Sequence, residues 1–292
     1  MNAIIASATG YTEADLQVFL SSIERSCKKS KVFLILYKQD REYIKNLQDK
    51  YEFLKFVFVR KKIKRAIRLY RQIARYLSTK DYSSIDPLLV VIGRYPLHIS
   101  IDRYFIALQL INAYGDSFSN VLLTDSRDVV IQRDPFSLID RKLVSGLEEK
   151  NIGSCPINSI WIKELYGEGI LNKMSDRRIV CSGVTLGPTR EVKNYLSKMC
   201  SEIWKCLPQI TVCGGFDQGI HNHLVFEEKI PFDLTDNRRG LIATLGYENP
   251  INILKEPASR LVKMHDEYPA IVHQYDRHSD LVIFFKESFS LK

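Results

Sequence analysis

The sequence predicts an α/β protein: one domain with a central, mostly parallel mixed sheet flanked by helices. Three observations carry that reading. Apolar runs of strand length alternate with amphipathic helical stretches through the first part of the chain, the pattern of parallel strands joined by helical crossovers. A later apolar run, Val121-Leu122-Leu123-Thr124, stops on Asp125-Ser126-Arg127-Asp128 and is followed at once by Val129-Val130-Ile131. The 292 residues, 45% hydrophobic and 26% charged, suit an ordinary globular domain of that size and contain no internal repeat, low-complexity segment or linker.

The elements follow in order. Residues 2–8 read as a strand ending at Thr9-Gly10-Tyr11. Glu13 to Ser26 reads as a helix with Leu16, Phe19, Leu20 and Ile23 on one face, capped by Thr12 and with acidic Glu13 and Asp15 in its first turn. Lys31 to Tyr37 is a second strand, Arg41 to Lys50 a short helix and Phe53 to Val59 a third strand. A basic amphipathic helix over 60–77 comes next. Its apolar side is Ile63, Ala66, Ile67, Tyr70, Ile73, Ala74 and Leu77. Pro87, Gly93 and Pro96 make 83–96 read as irregular, and Ile101 to Tyr114 as a strong helix. After the acidic turn, Asp134-Pro135-Phe136 reads as a structural turn. The pattern weakens from Asp140 to Asp176, where glycines and Pro156 suggest a loop-rich, substrate-facing region with short helices. Ile179–Leu186 then reads as a strand, Thr189–Trp204 as a helix, and Gly214-Gly215-Phe216-Asp217-Gln218 as the approach to another helix. Short strand-like pieces lead to Val272-His273-Gln274-Tyr275-Asp276-Arg277-His278.

Composition narrows the function classes. The start, Met1-Asn2-Ala3-Ile4-Ile5, lacks a basic n-region, and no stretch reaches the length of a membrane span, so a cytoplasmic protein is expected. Six cysteines without Cys-x-x-Cys spacing argue for free thiols rather than zinc. The net charge of +8 asks for an anionic partner. Much of it sits in Arg60, Lys61, Lys62, Lys64, Arg65, Arg68, Arg71 and Arg75, a face that suits anionic lipid head groups or a phosphorylated acceptor. A nucleic-acid or anionic-surface binder is the alternative. No helix-turn-helix, RNP or zinc-finger signature supports it, and no nucleic-acid partner is expected.

The acidic strand end carries the chemistry. Ligands of open α/β sheets bind at the carboxyl ends of the strands. Hard cations seek carboxylate oxygen there and share their shell with phosphates. The order of the pieces, an alternating half closed by Asp-x-x-Asp, a loop-rich region, a Ser-Gly strand, an Asp-Gln pair and a late His, resembles the nucleotide-sugar glycosyltransferases of the Rossmann-like GT-A fold. It is most similar to the retaining family 8, the glycogenin and bacterial galactosyltransferase type, over nearly the whole chain.

The resemblance implies site residues. Tyr11, with Thr9, matches the loop whose Tyr stacks on uracil, and Arg103 the donor-contacting Arg before the metal strand. Asp128 matches the second Asp of the metal motif, with either Asp125 or Ser126 at the first position. Ser182-Gly183 matches the sugar-contacting strand, with Cys181 where that family has Asn. Asp217-Gln218 matches the catalytic Asp-Gln pair, and His273 the third metal ligand. Tyr275-Asp276-Arg277-His278 replaces the usual Gly and Lys, leaving Arg277 for the phosphate. The implied cofactor is Mn2+ or Mg2+ and the implied donor a UDP-sugar, with a glycan or lipid-linked acceptor. Residues 1–130 would form the nucleotide-binding half and 131–292 the half for acceptor and sugar.

The chemistry is coherent in its own right. A metal held by two Asp and a His neutralises a departing diphosphate, and Arg103 and Arg277 add charge-assisted bonds. A neutral amide such as Gln218 suits retention, whereas inversion needs a carboxylate base, for which Asp217, Glu148 and Glu149 are available. Each residue also has a structural reading: Gly183 as close packing, His273 as a buried core histidine, Asp217-Gln218 as a plain helix start. A nucleotidyltransferase would use the same carboxylates, but no Gly-rich phosphate loop follows the first strand.

Overall fold

The computed structural model describes residues 1–44, 46–59, 67–210, 215–228 and 230–289. The first half runs β1 (Ala3–Ser7), α1 (Glu13–Ser26), β2 (Lys31–Tyr37), α2 (Leu47–Lys50), β3 (Leu54–Val59), α3 (Ile67–Leu77), α4 (Pro87–Arg94), α5 (Ile99–Tyr114), β4 (Asn120–Thr124) and β5 (Val129–Ile131). Then come β6 (Leu143–Asn151), α6 (Pro156–Tyr166), α7 (Glu168–Met174), β7 (Arg178–Pro188), α8 (Thr189–Lys205), α9 (Phe216–Phe226) and β8 (Phe232–Thr235). The chain closes with β9 (Ile242–Thr244), β10 (Ile253–Glu256), β11 (Leu261–Met264), β12 (Ile271–His273) and α10 (Ser279–Phe289).

Among the described residues the central sheet has the order β3-β2-β1-β4-β7-β6-β8, and β7 alone runs against the others. A smaller sheet, β5-β12-β9, lies beside it. From β1 the chain winds outward to β2 and β3, then returns to the other side of β1 as β4. The gap between the carboxyl ends of β1 and β4 is therefore a topological switch point, where open α/β sheets bind ligands.

Both faces of this sheet are covered, so its strands alternate between two cores rather than between core and water. Ile5, Phe33, Ile35, Val121 and Leu123 pack with Ile101, Phe105 and Trp204 on one face. Ile4, Leu34, Leu36 and Leu122 pack with Leu16, Phe19, Leu20 and Ile23 of α1 on the other. Burial of each such side chain stabilises the fold by roughly 1.5–3 kcal/mol. Thr12 caps α1 as expected: its hydroxyl accepts from Asp15 N at 3.4 Å, and Asp15 Oδ2 accepts from Thr12 N at 2.9 Å. That reciprocal box is worth about 1 kcal/mol.

Two expectations are corrected. Within the stretch read as irregular, residues 87–94 form α4. Asp86 Oδ1 accepts from Leu88 N at 2.7 Å, and Pro87 occupies the first turn, where its missing N–H costs nothing. Gly93 belongs there because an added Cβ would lie 2.6 Å from Trp204 Cζ3. In 140–176 the expected short helices are present as α6 and α7, but the loop-rich reading missed the strand β6. The strand pattern is hidden by register shifts along β6 and by Gly146, where a Cβ would lie 2.6 Å from Thr244 Oγ1. Of the basic helix, Arg60, Lys61, Lys62, Lys64 and Arg65 lie outside the described residues, as do the side chains of Arg68 and Arg71. Cys213 and Gly214 lie outside them too. No helix among the described residues is long and apolar enough to cross a membrane.

Candidate active site

Strand pairing assembles the acidic cluster. Asp125 follows β4, and its N–H donates to Gly183 O of β7 at 2.8 Å. Asp128 precedes β5, which pairs with β12 so that Val129 faces His273. Gln274 N then donates to Asp128 O at 2.9 Å, from a left-handed backbone with φ 59°. His273 Nε2 ends 3.7 Å from Asp125 Oδ2 and 3.8 Å from Asp128 Oδ2. One ligand atom from each of the three residues lies within 4.8 Å of the other two.

Gly183 makes the room. A Cβ there would run into the His273 ring and lie 2.7 Å from Asp125 Oδ2. Two carboxylate oxygens and an imidazole nitrogen around a cleared space fit Mn2+ or Mg2+.

Arg103, on the first turns of α5, organises the next ring. Its Nη1 pairs with Asp125 Oδ1, and its Nη2 lies 3.1 Å from Asp217 Oδ2 and 3.4 Å from Ser182 O. Tyr104 OH also donates to Asp217 Oδ2 at 3.3 Å. Burial opposes ionisation of Asp125, but Arg103 and His273 outweigh it and hold this carboxyl well below the usual range. Asp128 is pushed up, by burial first and by the Asp125 charge, with His273 opposing. Burial also raises Asp217, against Arg103. His273 is raised well above the usual imidazole range: burial works against its charge, but Cys181, Asp128 and Asp125 prevail. Its proton is what a bound cation would displace.

Asp217 and Gln218 open α9, whose N-cap Gly215 has φ 103° and no room for a Cβ against Trp161. The α9 helix is tied to β7 by Asn222, whose Oδ1 accepts from Val180 N and whose Nδ2 donates to Val180 O, both at 2.9 Å. Gln218 is held on both sides of its amide. Ser182 N donates to its Oε1 at 3.4 Å, while its Nε2 donates to Asn158 Oδ1 at 3.0 Å and to Glu148 Oε1 at 3.4 Å. Glu148 is 2% exposed and its carboxyl is raised by burial.

Asp125, Asp128, His273, Arg103, Ser182, Gly183, Asp217 and Gln218 are thus brought together. At the first metal-motif position it is Asp125 that faces His273. Ser126 is 1% exposed and donates its hydroxyl to Ser7 O at 2.7 Å. Tyr11 is half-buried, with the Arg127 guanidinium 5.9 Å from its ring centre, and Thr9 meets Tyr37 in the same turn. Arg277 is exposed and pairs with Asp276 at 3.7 Å. Asn158 and the hold of Glu148 on Gln218 were not foreseen. A strand pattern over 143–151 would have set Glu148 and Glu149 on opposite faces, but Gly146 obscured it.

The fold as a whole is shared with solved glycosyltransferases. The chain superposes on the galactosyltransferase LgtC, solved with donor and acceptor sugar analogues, with a TM-score of 0.52 and 15% identity over 99% of this chain and 96% of that one. It also superposes on the glycosyltransferase GlyE of Streptococcus pneumoniae TIGR4 with a TM-score of 0.52 and 14% identity, covering 99% of this chain and 60% of that one. No family model matches the sequence, and no curated protein does. At these identities the likeness establishes the fold: a GT-A-like α/β fold of the kind the motif order resembles.

Proposed function

We propose that the chain is a metal-dependent glycosyltransferase that moves a sugar from a UDP-sugar to a hydroxyl of a glycan or glycolipid acceptor, with retention. One observation carries the reading: Asp125, Asp128 and His273 converge around the space left by Gly183 at the switch point of a glycosyltransferase fold. In this reading these three residues hold Mn2+ or Mg2+, which when bound neutralises charge on the donor diphosphate. Tyr11 and Thr9 receive the nucleoside. Arg103, already fixed by Asp217 and Tyr104, and Arg277 bind phosphate oxygens. Ser182 and Gly183 border the sugar. The Gln218 amide, held by Asn158, Glu148 and Ser182 N, stands where a positive anomeric centre develops. Asp217 is committed to Arg103 and Tyr104, which leaves it poorly placed to serve as a base and favours retention.

The test is calorimetric titration with UDP, with GDP and ADP as controls, with and without Mn2+. UDP is expected to bind only with the metal, and Asp128→Ala to weaken that binding by roughly 100-fold or more, since a direct ligand matters at least as much as its outer-shell partners. Metal-independent UDP binding, or a variant that binds as the parent does, would dismiss the assignment.

A further inference from the structure

The turn after β9 brings an aromatic ring to the edge of the site. β9 pairs in parallel with β12, so that Thr244 faces His273, and Leu245 N donates to His273 O at 2.9 Å. Gly246 follows, where a Cβ would lie 3.0 Å from the side-chain amide carbon of Gln274 and would run into its oxygen. The chain therefore passes directly over the residue that succeeds His273. Tyr247 comes next. Its OH lies 3.6 Å from Cys155 Sγ, that sulfur accepts from Asn158 Nδ2 at 3.2 Å, and Asn158 Oδ1 accepts from Gln218 Nε2 at 3.0 Å. After Cys155, the charges of Glu148 and Arg277 also act on the Tyr247 hydroxyl. Tyr247 thus stands between the His273 side of the site and the Gln218 amide.

The ring is both exposed and held. Tyr247 is 42% exposed although its hydroxyl already has a partner, so the ring is what it offers to a ligand. The turn that carries it is fixed by its neighbour. Glu248 N donates to Leu245 O at 3.0 Å, and the buried Glu248 carboxylate accepts from Asn237 Nδ2 at 2.6 Å, Asn252 Nδ2 at 2.8 Å and Asn249 N at 3.0 Å. A ring fixed before binding gives up little freedom when a ligand arrives.

The chemistry of the turn selects the ligand. An aromatic face carries partial negative charge, and one face of a pyranose presents C–H groups polarised the other way. Lys150, near the end of β6, holds its ammonium 4.4 Å from the Tyr247 ring centre, where it can donate to the hydroxyls of a sugar lying there. We propose that Tyr247 is the platform on which a sugar residue of the acceptor stacks. That a sugar binds here rests on the geometry of the turn. That this sugar is the acceptor rests on the glycosyltransferase reading.

The experiment is saturation-transfer NMR of the full chain with the methyl α- and β-glycosides of glucose, galactose and N-acetylglucosamine, in chelator and without nucleotide. Sugar binding then stands or falls independently of the metal and nucleotide reading, which UDP titration tests on its own. The parent should transfer saturation to the ring C–H protons of at least one glycoside. Tyr247→Ala should weaken that binding by about tenfold, the size of one aromatic contact. Tyr247→Phe should bind the glycoside as the parent does, because the ring is kept. Asp128→Ala should also bind it unchanged, because no cation takes part. The proposal is overturned if none of the glycosides binds or if Tyr247→Ala binds like the parent. It is equally overturned if Tyr247→Phe loses as much as Tyr247→Ala, which would assign the loss to the hydroxyl contact with Cys155 rather than to stacking.

Discussion

Gly183→Ala should weaken metal-linked nucleotide binding by roughly 100-fold while leaving the chain folded. The backbone at Gly183 has no positive φ, so alanine is conformationally acceptable, and the damage comes only from the added methyl. That methyl would collide with the His273 ring and lie 2.7 Å from Asp125 Oδ2. The strand cannot retreat, because β7 is paired with β4 on one side and β6 on the other. The side chains must give way, and they are two of the three candidate ligands. Overpacking of this kind costs about 1–3 kcal/mol of stability. The effect on the cation should be far larger, on the order of 100-fold in Mn2+-dependent UDP affinity, because two donors move at once. Gly187→Ala supplies the control: it adds a methyl to the same strand, 3.2 Å from Leu143 Cα and remote from the acidic cluster. Titration calorimetry and thermal melts of both variants separate the effects. Should Gly183→Ala bind Mn2+ and UDP like the parent, the cradle is not where the cation sits.

The legibility of this site in the sequence had a physical limit. The strand ending on Asp125 could be read because a doubly covered strand is an uninterrupted apolar run, and its end is abrupt. Asp128 and His273 could be named only through motif order, since their meeting depends on β5 pairing with β12 across nearly half the chain. The choice between Asp125 and Ser126 was beyond the sequence: it is made by Asp125 N binding Gly183 O while the Ser126 hydroxyl turns to Ser7. Glycines hid two further elements. Gly146 and Gly93 look like breakers in one dimension, yet each sits where another side chain leaves no space for a Cβ. Helix α4 was hidden for the same reason: Pro87 and Gly93 suggested irregular chain, and only their roles as first-turn residue and packing gap reveal the helix.

The second large effect concerns acid. His221 of α9 is fully buried, with Tyr195 OH 2.8 Å from its Nδ1 and Ser145 Oγ 3.4 Å from its Nε2. Tyr195 can donate to Nδ1 while Nε2–H donates to Ser145, so the neutral ring is satisfied and a second proton has nowhere to go. Burial first, then the nearby charge of Arg103, lowers this histidine from 6.5 to about 3. Between those values the unfolded chain binds a proton that the folded chain refuses. Stability from this group is therefore complete above about pH 6.5 and is lost progressively as the pH falls toward 3. The full loss amounts to roughly 4–5 kcal/mol, a large share of the stability of an ordinary domain. Ser145 also donates to the Cys181 and Val184 carbonyls that flank Ser182 and Gly183, which joins His221 to the strand bordering the site. Urea unfolding of the parent between pH 4 and 8 should show stability falling below pH 6.5. His221→Gln, which keeps polar contacts but does not titrate, should start lower and fall with a slope smaller by about one proton. Identical slopes for the two proteins would mean that His221 accepts its proton without unfolding, and that the acid sensitivity of the fold lies in other groups.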